Sequence, residues 1–150
     1  MLQPQPVDPS NEVRDQPTNL VQSRRLLAGR TLQVLLYSLA ILYFGTRRHL
    51  KITENELFSH DKLLHVLAFG GLAFVGYRCS RMLWASHSTL RAAWVAFGFA
   101  ALMGLLLELI QSFLPYRSAE FADWVADACG AAAVLLFMRR FERPNAGLAH

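Results

Sequence analysis

Most of the chemistry this chain can offer lies between Glu108 and Gly130. There a carboxylate (Glu108), an amide (Gln111), a guanidinium (Arg117) and two further carboxylates (Asp123 and Asp127) stand where two very apolar segments meet. Ionisable side chains in hydrocarbon cost several kcal/mol each, so those that persist there face a bundle interior or a wet cavity. A second group, Asp61-Lys62-Leu63-Leu64-His65, opens an earlier apolar segment. Asp61 and His65 are four residues apart and share a helix face. Asp61 is also expected to cap that helix, with Ser59 or His60 just ahead. Glu108 and Gln111 share one face of their segment, and Asp123 and Asp127 share one face of the next.

Carboxylates, a histidine and two cations permit several kinds of work. Lys62, His65 and Arg117 suit an anionic group such as a phosphate, through charge-assisted hydrogen bonds. Glu108, Asp123 and Asp127 would then hold those bases in place or bind a cation that bridges to the ligand. Alternatively, His65 acts as general base or nucleophile with Glu108 or Asp123 as its partner, and Arg117 stabilises developing charge. A metal held by His65, Glu108 and Asp127 is conceivable on that second reading. The chain has no His-Glu-x-x-His and no Gly-x-Ser-x-Gly signature, so no metal site or cofactor is expected and the binding reading ranks first. On a third reading the cluster only locks helices together. Interhelical polar contacts in membranes contribute roughly 0.6 to 2 kcal/mol each, so a pair of residues would suffice for that.

The elements that carry these groups are apolar. Of 150 residues, 53% are hydrophobic and 17% charged, against about a quarter charged in soluble domains. Four segments are long enough to cross a bilayer, which takes about 17 to 25 residues. They run from about Leu26 to Gly45, Leu63 to Trp84, Ala92 to Leu114 and Phe121 to Met138. A soluble helix needs a polar face, and Ala92 to Leu107 offers no charge on any face. The fold class is therefore an all-α membrane protein, a bundle of about four transmembrane helices. Trp84, Trp94 and Trp124 lie near the proposed ends, as interfacial aromatics do. Gly70, Gly71, Gly76, Gly98, Gly104 and Gly130 suit close helix approach.

Residues 1–24 are polar and contain four prolines, which predicts a disordered tail. The bundle then spans 25–141, and 142–150 form a short tail. No apolar core with a cleavage site marks a secretory signal. Cys79 and Cys129 make no metal-type spacing, and no disulfide is expected. The net charge of +4 does not indicate nucleic acid, because the cations flank apolar runs and do not form a basic stripe. Ten of them (Arg14, Arg24, Arg25, Arg30, Arg78, Arg81, Arg91, Arg139, Arg140 and Arg143) fall on one side of a four-span bundle. Five (Arg47, Arg48, Lys51, Lys62 and Arg117) fall on the other. The positive-inside rule then puts both termini in the cytoplasm and both polar groups outside.

The ordered motifs resemble the VanZ-like family of small membrane proteins. The family pattern has Lys-x-x-His, then Glu-x-x-Gln, a Pro-x-Arg turn, and Asp followed by Asn-x-x-Gly. Here these read Lys62 and His65, Glu108 and Gln111, Pro115 and Arg117, then Asp123, Asp127 and Gly130. Asp127 stands where Asn is commoner, and Val134 where a second glycine often follows, which predicts one looser helix contact. The resemblance covers about residues 30 to 140. It implies a protein of the bacterial cell envelope and inner membrane, with membrane lipids as partners. A lipid-linked envelope precursor or other amphiphile is the implied ligand class, and the family's founder is linked to teicoplanin resistance.

Overall fold

The computed structural model describes residues 9–47, 54–83, 88–117 and 119–141, with side chains from Leu20 in the first stretch and from Lys62 in the second. Four helices fill these residues: α1 (Pro9–Gly45), α2 (Glu54–Leu83), α3 (Thr89–Ser112) and α4 (Phe121–Phe141). Each contains a stretch long and apolar enough to cross a membrane, namely Leu20–Gly45, Lys62–Leu83, Thr89–Ser112 and Phe121–Phe141. The all-helical, four-span architecture expected from the sequence is thus the one observed.

Two helices begin earlier than expected. α1 starts at Pro9, so residues 9–24, read from composition as a disordered tail, are helical. Proline is well placed at a first helical position because its missing N–H has no partner there anyway. The following Asn-Glu-Val-Arg-Asp-Gln extends the helix that the apolar segment anchors. α2 starts at Glu54, two turns ahead of its apolar run, so Asp61 is interior to the helix and is not its cap. Residues 1–8 and 142–150, Arg48, Lys51, Trp84, Ser118 and the side chain of Asp61 lie outside the described residues.

Local signals set the ends of α3. Ser88 has extended backbone angles (φ −60°, ψ 144°), and its hydroxyl oxygen accepts the N–H of Arg91 at 3.4 Å. At the other end Phe113 and Leu114 bond back to Ile110 and Gln111, and Pro115 follows. Proline cannot continue the ladder, so the chain turns there.

From Ala92 to Gly104, side-chain size decides which face of α3 turns inward; beyond it Leu107, Glu108 and Gln111 are buried. Ala92, Ala93, Ala96, Ala100 and Gly104 recur every three to four residues and are buried. Trp94, Leu102, Leu105 and Leu109 are each more than half exposed. Small residues inside and large aliphatics outside is the arrangement expected when the surrounding solvent is lipid, where small side chains let backbones approach. Buried Phe69, Leu72, Ala73 and Tyr77 show that α2 is the central helix. It packs against α1, α3 and α4, whereas α1 and α4 do not meet among the described residues.

The register places all the polar groups at one end. α2 and α4 run parallel: Val66 lies against Gly130 and Gly70 against Val134. A Cβ on Gly130 would collide with the Val66 backbone, so glycine permits this crossing. A Cβ on Gly70 would sit 3.1 Å from a Val134 methyl. The contact expected to be loose at Val134 is therefore filled, with Gly70 supplying the missing space. Gly71 makes room for the Tyr37 hydroxyl of α1, and Gly76 faces Ala96 of α3. Gly98 has no atom within 4 Å of its would-be Cβ and takes no part in a close approach.

Candidate functional site

The buried polar residues gather where α2 and α4 begin and α3 ends. Lys62 stands at the start of the apolar part of α2, and its Nζ donates to Asp123 Oδ1 at 2.8 Å and to Glu120 Oε2 at 3.3 Å. One turn deeper, His65 Nδ1 lies 2.8 Å from Asp127 Oδ1. The parallel register explains both pairs, since a turn along α2 corresponds to a turn along α4. Asp127 is fully buried and His65 nearly so. Its second oxygen, Oδ2, has no hydrogen-bond partner. A Cβ on Gly104 would come within 2.6 Å of that oxygen, so the glycine opens the space into which Asp127 fits.

Glu108 reaches the same place from α3. Its Oε2 accepts the backbone N–H of Glu120 at 2.9 Å, and its Oε1 is buried without a partner. Donor atoms of His65, Glu108 and Asp123 all lie within 4.8 Å of one another. Lys62, His65, Glu108, Asp123 and Asp127 thus form one cluster fed by three helices.

Gln111 and Arg117 are placed differently. Gln111 Nε2 donates to the carbonyl of Gly45 at 2.8 Å, at the end of α1. It satisfies one of the carbonyls that every helix end leaves unpaired. Tyr116 serves the neighbouring Thr46 carbonyl at 3.2 Å. Arg117 is not beside Glu108, which is held by the Glu120 N–H, and the ammonium group of the cluster is that of Lys62. The Pro115 turn carries Arg117 toward α1. Its buried Nε has no hydrogen-bond partner, and its side chain lines a cleft of about 530 Å³ between α1 and α2. Tyr37, Ile41, Phe44, Ala68 and Phe69 make the apolar walls of that cleft, and His65, Arg47 and Arg117 its polar end. Lys62 is not among the lining residues, because its ammonium group is engaged by two carboxylates.

The sequence pointed to seven residues and missed three contributors. Glu120 serves twice, through its carboxylate to Lys62 and its N–H to Glu108. Its position three residues before Asp123 was the available signal. Tyr37 and the Gly45 carbonyl give no sequence signal, since they matter only because α1 packs here. Trp124, in the first turn of α4, donates its indole N–H to the Ala101 carbonyl at 3.0 Å, between α3 and α4. An indole N–H in hydrocarbon needs such a partner. Both cysteines are free.

Four apolar helices enclosing a buried cluster of carboxylates, a histidine and a lysine define an integral, multi-pass membrane protein with a polar site at one end of its bundle. The VanZ/LLP1 family model matches residues 4–142, nearly the whole chain, and the protein belongs to that family. No curated protein and no solved structure matches it.

Proposed function

We propose that the cleft between α1 and α2 binds an amphiphile of the bacterial envelope, with its anionic head at His65, Arg47 and Arg117 and its chain along Tyr37, Ile41 and Phe69. One observation carries this reading: Arg117, whose buried Nε has no hydrogen-bond partner, lines the polar end of an otherwise apolar cleft. A buried guanidinium donor without an acceptor is costly, and a phosphate or carboxylate oxygen is the partner its geometry fits best. The cleft volume lies in the range of small-molecule sites. The carboxylates do not line the cleft end, and Asp127 holds His65 from behind.

On this reading the ligand is a lipid-linked envelope precursor or a related amphiphile in the inner membrane. Both termini face the cytoplasm, and the cluster faces outward. Mass spectrometry of lipids retained by the protein in mild detergent tests it. The wild type should carry a stoichiometric anionic lipid, and Arg117→Ala should lose most of it while eluting as the same species. Equal retention by both would end the reading. Glycopeptide protection in a teicoplanin-sensitive host is a separate assay, to be read as presence or absence of a shift in growth inhibition.

A second reading rests on the His65–Asp127 pair. A histidine held at 2.8 Å by a buried carboxylate is the arrangement of a base with its orienting group. Turnover of the retained lipid, lost in His65→Ala, would make the protein an intramembrane hydrolase or transferase.

A further inference from the structure

We infer that the cluster behind the cleft is a divalent-cation site, with His65, Glu108 and Asp123 as its protein ligands. The inference rests on the head-group reading only for what the ion would bridge to, since His65 belongs both to the cluster and to the cleft wall. The site itself stands on three observations.

The first is spacing. Donor atoms of the three residues lie within 4.8 Å of one another. Around one cation with bonds of about 2.0–2.4 Å, ligand atoms are separated by up to about 4.8 Å. The second is an orphaned donor. Glu108 is 7% exposed, and its Oε1 is buried with no hydrogen-bond partner. The third is charge. Glu108, Asp123 and Asp127 are three buried carboxylates, and the ammonium group of Lys62 contacts one of them, Asp123. A divalent cation supplies the opposite charge that a low-dielectric setting demands.

Asp127 is the orienting group. It lies 2.8 Å from His65 Nδ1, and a carboxylate on one ring nitrogen sets which nitrogen of the imidazole can ligate a metal. The structure therefore replaces the ligand set His65, Glu108 and Asp127 with one in which Asp123 ligates and Asp127 positions. One imidazole and two carboxylates suit a borderline ion of the Mn²⁺ or Zn²⁺ class. Three protein donors leave at least one coordination position for an oxygen of a bound head group.

The metal alone is the probe. Full-length protein in detergent is stripped with chelator, dialysed against MnCl₂ or ZnCl₂ and measured for metal content. One ion per chain is expected in at least one arm. Glu108→Gln should lower that to below a tenth, with an unchanged melting curve and elution volume. Pulsed EPR of the Mn²⁺ form should show coupling to a histidine nitrogen, and this measurement needs no variant. No uptake in either arm, full retention by Glu108→Gln, or a bound ion without nitrogen coupling each overturns the site. Protons then neutralise the carboxylates, and any metal found is adventitious. Ion uptake without lipid retention sinks the head-group reading and leaves the ion. Lipid retention without ion uptake does the reverse.

Discussion

Asp127 and Glu108 show how a buried acid is made tolerable in this bundle. Asp127 has a histidine on one oxygen and the gap over Gly104 beside the other. Glu108 has a backbone N–H on one oxygen and nothing on the other. Glu108→Gln keeps the shape, and the amide oxygen can still accept the Glu120 N–H. We therefore expect this variant to express and melt like the parent, yet to lose the divalent ion in the metal-content assay. Full retention, together with full retention by His65→Ala, would reduce the cluster to a packing device. Gly104→Ala should act differently, since its methyl group would meet Asp127 Oδ2. Overpacking of this kind costs about 1–3 kcal/mol, and the loss should appear as a lowered melting temperature.

The helices are held in register mainly by where backbones can touch. The parallel pair α2 and α4 depends on Gly130, whose added Cβ would strike Val66 backbone atoms that no side-chain rotation can move aside. Gly130→Ala should therefore force the two helices apart, costing at least about 1–3 kcal/mol, and should disturb the Lys62–Asp123 and His65–Asp127 pairs together. Gly98→Ala is the contrasting case. Nothing lies within 4 Å of the new methyl group, and alanine favours a helix interior over glycine by about 0.5–1 kcal/mol. Thermal melts of the two variants in one detergent should move in opposite directions.

At the scale of the whole molecule, the bundle places the starts of α2 and α4 and the ends of α1 and α3 at one membrane face. On the orientation proposed above, the ten-to-five division of arginine and lysine predicts that this face is the outer one. Reporter fusions after Gly45 and after Arg117 should give periplasmic signals, and fusions near Trp84 and at the C-terminus cytoplasmic ones. A periplasmic C-terminus would contradict the four-span orientation. α1 is the least enclosed helix, with Leu32, Leu35, Leu36 and Leu39 all more than half exposed. It contributes Tyr37, Ile41 and Phe44 to the cleft, so the cleft lies beside the helix most open to lipid.

The sequence by itself determined the four spans and the residues of the polar cluster, since length, apolarity and helical spacing are local properties. The i to i+4 relation puts Asp123 and Asp127 on one face whatever surrounds them. It also exposed Gly130 and Gly70 as points of close approach. The pairings were decided only in the tertiary structure. A spacing rule fixes faces within one helix, whereas the offset between helices depends on contacts made far apart in the chain. Arg117 lies between Glu108 and Asp123 in sequence, yet the Pro115 turn sends it to the α1 side, and Lys62, 61 residues before Asp123, is the cation that pairs with that acid. Gln111 likewise serves α1, because the end of that helix packs over α3. Gly98 has the composition of a contact point without its position. Val134, in turn, is accommodated by a glycine on another helix that no reading of α4 alone could reveal.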